Sequence, residues 1–125
     1  MEFLVADHPD WNVLLRTCPS RTSLAEIANK WTALIVVVLG QGPLRFTQLK
    51  DQVDGISPKV LAETLRRLQR DGIVTRTAYA EVPPRVEYEL TERGQSLHAP
   101  LDALRVWAES NIDDVLKSRD AFDRL

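Results

Sequence analysis

One cysteine and two histidines are all that 125 residues offer to a disulfide or a soft metal. A single cysteine excludes an internal disulfide and fits a reducing cytosol, so a cytoplasmic protein is expected. His8 and His98 stand far apart, and neither lies in ligand spacing with Cys18, so no metal site is expected. There is no glycine-rich phosphate loop and no nucleophile elbow, and the carboxylates are scattered over helix faces. Neither an enzyme nor a cofactor is therefore expected. No apolar run is long enough to span a membrane, and residues 31–39, strongly apolar but short, read as a core helix. No charged-then-apolar leader, repeat or low-complexity tract stands out. The net charge of −2 argues against indiscriminate binding to polyanions. The length suits one domain, residues 1–125, with a core of its own.

What the chain does have is concentrated in residues 57–91. Ser57 suits a helix N-cap, Pro58 a first helical position and Gly72 a stop. Between them Leu61, Leu65 and Leu68 stack on one side at helical spacing, while Lys59, Arg66 and Arg70 take the other with Glu63 among them. Residues 73–79 and 85–90 then read as two strands turned by Pro83-Pro84. Upstream, Phe46, Leu49 and Val53 mark a shorter helix with Thr47 as its N-cap, and Asp54-Gly55 makes the turn. Helix, turn, cationic helix and hairpin make the layout of a winged helix on duplex DNA. Five cations face two carboxylates in residues 57–76, a local charge of +3, whereas residues 109–125 carry −2. A basic patch on an acidic protein suits site-selective phosphate contact. The plainer reading of the same helix is a solvated face in which Glu63 pairs with Lys59 or Arg67.

The expected interface follows from these positions. Ser57, Lys59, Glu63, Arg66 and Arg67 fall at the major groove, with Ser57 alternatively meeting phosphate. Arg76 and Arg85 of the hairpin reach the backbone or minor groove; for Arg85 the alternative is a salt bridge to Glu81 or Glu87.

The flanks point to self-association. Residues 1–17 form an arm with Trp11, Leu14 and Leu15 at helical spacing, followed by a helix from Cys18-Pro19 to Ala28 with Leu24, Ile27 and Ala28 inward. Asn29 breaks that helix, as a residue tolerant of left-handed backbone. A second helix covers residues 30–39, and residues 44–46 supply a third strand. The last helix is capped by Thr91 and repeats Leu97, Leu101, Leu104, Ala108, Ile112 and Val115, with Trp107 and Leu116 beside them. That stripe exceeds what a three-helix core needs, and exposed apolar patches mark interfaces. A symmetric homodimer is expected, centred on Leu104, Trp107 and Ile112 with Trp11 and Leu14; a last helix folded over its own domain is the alternative. The fold class is thus α+β and mostly helical: a winged helix-turn-helix over residues 18–92, an N-terminal arm over 1–17 and a C-terminal dimerisation helix over 93–125.

These residues also carry a family resemblance. Cys18-Pro19, Lys30-Trp31-Thr32, Gly42-Pro43-Leu44-Arg45-Phe46 and Ile56-Ser57-Pro58-Lys59-Val60-Leu61 occur in order. Asp71-Gly72-Ile73-Val74-Thr75-Arg76, Glu81-Val82-Pro83-Pro84-Arg85-Val86-Glu87-Tyr88 and Leu90-Thr91-Glu92-Arg93-Gly94 follow. The set resembles the HxlR family of bacterial winged-helix regulators, related in architecture to the MarR regulators. The resemblance implies a homodimer held by its terminal helices, with recognition helix and wing on palindromic DNA. Asn29 stands where many members have glycine. Regulators similar to this one use a cysteine at the Cys-Pro position to sense electrophiles or oxidants, which implies a sensor role for Cys18. Local chemistry permits it, because a helix N-terminus with Arg16 and Arg21 nearby favours thiolate; the alternative is a cysteine that only packs. Two further readings stay open: a regulator switched by a non-covalently bound small molecule near Trp31 and Trp107, and a winged helix that binds protein instead of DNA.

Overall fold

The computed structural model describes residues 10–125. Residues 10–17 run through turns, so the helical spacing of Trp11, Leu14 and Leu15 is not realised as a helix; the first nine residues of the expected arm lie outside the described residues. Cys18 caps helix α1 (Pro19–Ile27), with Pro19 in the first turn, where its missing N–H leaves no bond unmade. Helix α2 (Lys30–Leu39) follows at a bend of 69°. Asn29 makes that break, but for a different reason from the one expected. Its φ of −64° is ordinary extended backbone, and its side-chain oxygen accepts the Trp31 N–H at 2.9 Å. Asparagine serves here as an N-cap and not as a left-handed residue.

Strand β1 (Leu44–Arg45) leads into α3 (Phe46–Gln52). The N-cap of α3 is Arg45 instead of Thr47, because Gln48 reaches back to accept the Arg45 N–H at 2.8 Å. Gly55, at φ +86°, turns the chain into α4 (Pro58–Arg70), where Ser57 Oγ accepts the Val60 N–H at 3.1 Å as a capping serine should. Gly72, at φ +73°, stops α4 and starts the hairpin of β2 (Val74–Tyr79) and β3 (Arg85–Leu90). The two strands pair antiparallel from Val74 opposite Leu90 to Tyr79 opposite Arg85, and β1 joins the far edge to give the order β1-β3-β2.

The core sits where α2, α3 and α4 close on the sheet. Ile35, Val36, Leu39, Leu49 and Leu61 are wholly buried, with Leu65 and Leu68 nearly so. Each such side chain contributes about 1.5–3 kcal/mol by leaving water. α4 is therefore held by its leucines, and its outer face is left to other work. α1 is different: none of its residues is buried, only Ile27 packs on the core, and Leu24, expected inside, is exposed.

Helix α5 (Glu92–Asp123) is capped by Thr91 Oγ1, which accepts the Gly94 N–H at 3.1 Å and donates to Gly72 O. Its 32 residues span about 48 Å, and only the first half borders the body, as far as the groove beside α2. Gly94 is packed so closely that a Cβ would stand 2.2 Å from Ile73 O. Backbone cannot yield there as a side chain could. Gly94→Ala is expected to cost about 1–3 kcal/mol in denaturant unfolding, the range of an overpacked core, and an unchanged midpoint would contradict this packing. Leu101 is the last buried residue of α5; Leu104, Trp107, Ile112, Leu116 and Phe122 are all exposed.

Candidate nucleic-acid interface

The outer face of α4 carries Lys59, Glu63, Arg66 and Arg70, all exposed. Glu63 makes no ion pair with Lys59 or Arg67 among the described residues, so the cations are not neutralised along the helix. Arg67 lies further round. Its Nη2 donates to Thr64 Oγ1 at 3.3 Å, while that hydroxyl donates to Val60 O at 2.7 Å. Thr64, a buried residue overlooked in the sequence, thereby turns Arg67 toward α1. Arg67 and Arg70 share a cleft of about 610 Å³ with Thr22, Ser23 and Glu26 of α1. The outer face thus carries Lys59, Glu63 and Arg66, Ser57 is the cap at the helix start, and Arg67 lines both the cleft with Glu63 and Arg66 and the one toward α1.

The wing presents its two arginines differently. Arg76 is exposed on β2, opposite Tyr88. Arg85 is clasped: Nη2 lies 2.9 Å from Glu81 Oε1 and Nη1 3.1 Å from Glu87 Oε2. Its guanidinium also stacks on the Tyr79 ring, 3.9 Å from the centroid, a cation–π contact placed by the Tyr79–Arg85 register. The alternative of a salt bridge to Glu81 or Glu87 is met by both carboxylates together. Tyr79 was not legible as a partner, since nothing in the sequence fixes the hairpin register.

Cys18 is nearly buried at the junction of the turns and α1. Its Sγ lies 2.9 Å from Ser20 Oγ and accepts the Asn12 N–H at 3.2 Å. The Ser20 hydroxyl foremost, then the Asn12 N–H, hold the thiol below its ordinary range; desolvation pushes the other way, and the Ser20 and Arg21 N–H groups add to the lowering. Backbone N–H groups at the start of α1 are among these contacts, and no guanidinium is. Arg21 instead donates to Leu14 O at 3.4 Å, tying the turns to α1.

The other expected sites separate in space. An apolar groove of about 350 Å³ runs between α2 and α5, lined by Ala33, Leu34, Val37, Leu101, Leu104 and Ala108. Neither Trp31, which packs on the core under Lys30, nor Trp107 lines it. His98 Nε2 lies 3.3 Å from Val37 O, whereas His8 is outside the described residues. Among the described residues no single helix is long and apolar enough to cross a membrane.

Comparison with known proteins agrees with this geometry. The family described as HxlR-like helix-turn-helix matches residues 26–115. The HTH-type transcriptional regulator YtfH of Escherichia coli (strain K12) is 41% identical over 109 residues, covering 87% of this chain and 86% of its own length. Among solved structures, the transcriptional regulator ytfH from Salmonella typhimurium matches with a TM-score of 0.83 and 39% identity, over 89% of this chain and 99% of that one. Diamide-treated YodB from B. subtilis matches with a TM-score of 0.64 and 35% identity, over 77% and 96%. The chain belongs to the HxlR-like helix-turn-helix family and is a DNA-binding transcriptional regulator, not an enzyme.

Proposed function

We propose that the active species is a homodimer that binds a palindromic operator through α4 and the wing, and that Cys18 switches it. The observation that carries the DNA reading is the division of α4 into a buried leucine face and an exposed cationic one. In this reading Ser57, Lys59, Glu63 and Arg66 enter the major groove, the N-terminal half of the helix nearest the bases. Arg67 meets the backbone at the edge. Arg76 and Arg85 reach phosphate or the minor groove from the wing, Arg85 only after leaving its carboxylates. Incubating the purified protein with random duplex and sequencing what it retains tests the reading. An inverted repeat is expected; retention without a shared sequence contradicts operator recognition.

Support for the dimer comes from α5. Its free length exposes Leu104, Trp107 and Ile112, and the α2–α5 groove continues the apolar surface onto the body. Trp11 and Leu14, also exposed, join this contact from the arm. Two recognition helices about 34 Å apart would then meet successive major grooves. Sedimentation should give a dimer at micromolar concentration, and Trp107→Glu should shift it to monomer with weaker DNA binding. A stable native monomer, even with DNA present, contradicts the assignment.

The switch rests on the thiol's surroundings, with YodB, solved after diamide treatment, as a precedent among similar proteins. Because Sγ accepts the Asn12 N–H, it pins the arm that carries Trp11 and Leu14. An electrophile, an oxidant or a small thiol that modified Cys18 would take away that acceptor at the edge of the dimer contact.

A further inference from the structure

The wing arginine is held by its own hairpin in a way that DNA binding has to undo. Arg85 has two ion pairs and a ring face, its Nε has no hydrogen-bond partner, and its side chain is 27% exposed. Its fork is therefore filled by Glu81 and Glu87, which come from either side of the turn. A phosphate that is to pair with this guanidinium has to displace two carboxylates that already occupy its fork. Arg76, by contrast, is exposed on the same hairpin without an ion pair among the described residues.

We propose that Glu81 and Glu87 form a specificity latch: they keep Arg85 off non-operator DNA, and Arg85 opens to phosphate only where α4 is seated. This deepens the DNA reading above and rests on it. Random duplex offers α4 phosphate contacts but no matched bases, so nothing there repays parting Arg85 from two carboxylates. A seated operator holds the wing at the backbone, where Arg85 can exchange them for phosphate, a partner that suits the same fork. The latch thus lowers affinity for competing sites more than for the operator. Specificity is a difference between the two affinities, and weakening the wrong partner raises it.

The test uses a random-sequence 30-base-pair duplex and the full chain, with binding followed from low to moderate salt. Glu81→Gln with Glu87→Gln removes the latch charges while keeping the size of the side chains. This double variant should bind random duplex several-fold more tightly, with its log–log salt slope steeper by about 0.9, one added phosphate contact. Loss of two negative charges near DNA would alone raise affinity, so the same pair is also made with Arg85→Ala. If the latch holds, adding Arg85→Ala abolishes the extra slope and most of the gain. A gain that persists without Arg85, or no gain at all, overturns the latch. Native protein that binds no duplex under any salt defeats the DNA reading instead. Glu81→Gln alone, whose carboxylate is half exposed, gives a milder second variant that should shift the slope in the same direction.

Discussion

Treatment with diamide or a quinone should release the reduced protein from its operator, and Cys18→Ser should abolish the response. Taking a dimer from nearly all competent to nearly all incompetent requires about 5.5 kcal/mol, roughly ten-thousandfold in relative stability of the two states, which a covalent change can supply. The chemistry has two forms. Diamide takes two electrons and two protons from a pair of thiols, joining Cys18 to Cys18 of a second protomer or to a small thiol. With a quinone the thiolate adds to a ring carbon, and the ring takes up a proton from water to leave a hydroquinone thioether. Either way Sγ ceases to accept the Asn12 N–H and becomes bulkier in a nearly closed site. The arm then leaves α1, and half-site spacing tolerates little misalignment. The lowered thiol fixes the pH behaviour. Thiolate is the reactive form, so alkylation should turn on at a lower pH than for an unperturbed thiol, and Ser20→Ala should move the onset upward by removing the largest stabilising contact. If native and Cys18→Ser proteins respond alike, or neither responds, the thiol only packs and the inducer is something else.

How much of this was visible in the sequence depended on whether a signal was local. α4 could be read because its cap, its stop and its leucine spacing all lie within sixteen residues, and each performs as its chemistry dictates. The Thr91 cap, the hairpin and the core role of α2 were legible for the same reason. Errors arose where one residue type serves two purposes. Asn29 interrupts the helices as a cap, and Arg45 displaces Thr47 because Gln48 reaches back to its N–H. Leu24 and the Trp11–Leu14 spacing suggested packing, but apolar spacing says only that a face wants burial, not that its own chain buries it. Long-range contacts were out of reach. The Asn12 N–H on Cys18, the Tyr79 face under Arg85 and the Ile73 carbonyl against Gly94 depend on a fold that brings distant segments together.

The charged face of α4 was legible as a face, while its division between Arg66 and Arg67 was not. Arg66 projects from the exposed surface, whereas Thr64 and the α1 cleft draw Arg67 aside. Their losses should differ accordingly. Arg66→Ala should cost about 1–3 kcal/mol and relax preference at one base if it reads guanine. Arg67→Ala should weaken all sequences alike and flatten the salt slope by about one unit. The most direct measurement is operator affinity of the Arg66→Ala, Arg67→Ala double variant, with thermal unfolding run beside it to establish an intact fold. Both side chains lie outside the core, so the fold should survive. Affinity should fall by at least the roughly 1–3 kcal/mol expected for Arg66, with a salt slope flatter by about one unit from Arg67. A normally folded double variant that keeps full operator affinity would contradict the assignment of α4 as the recognition helix.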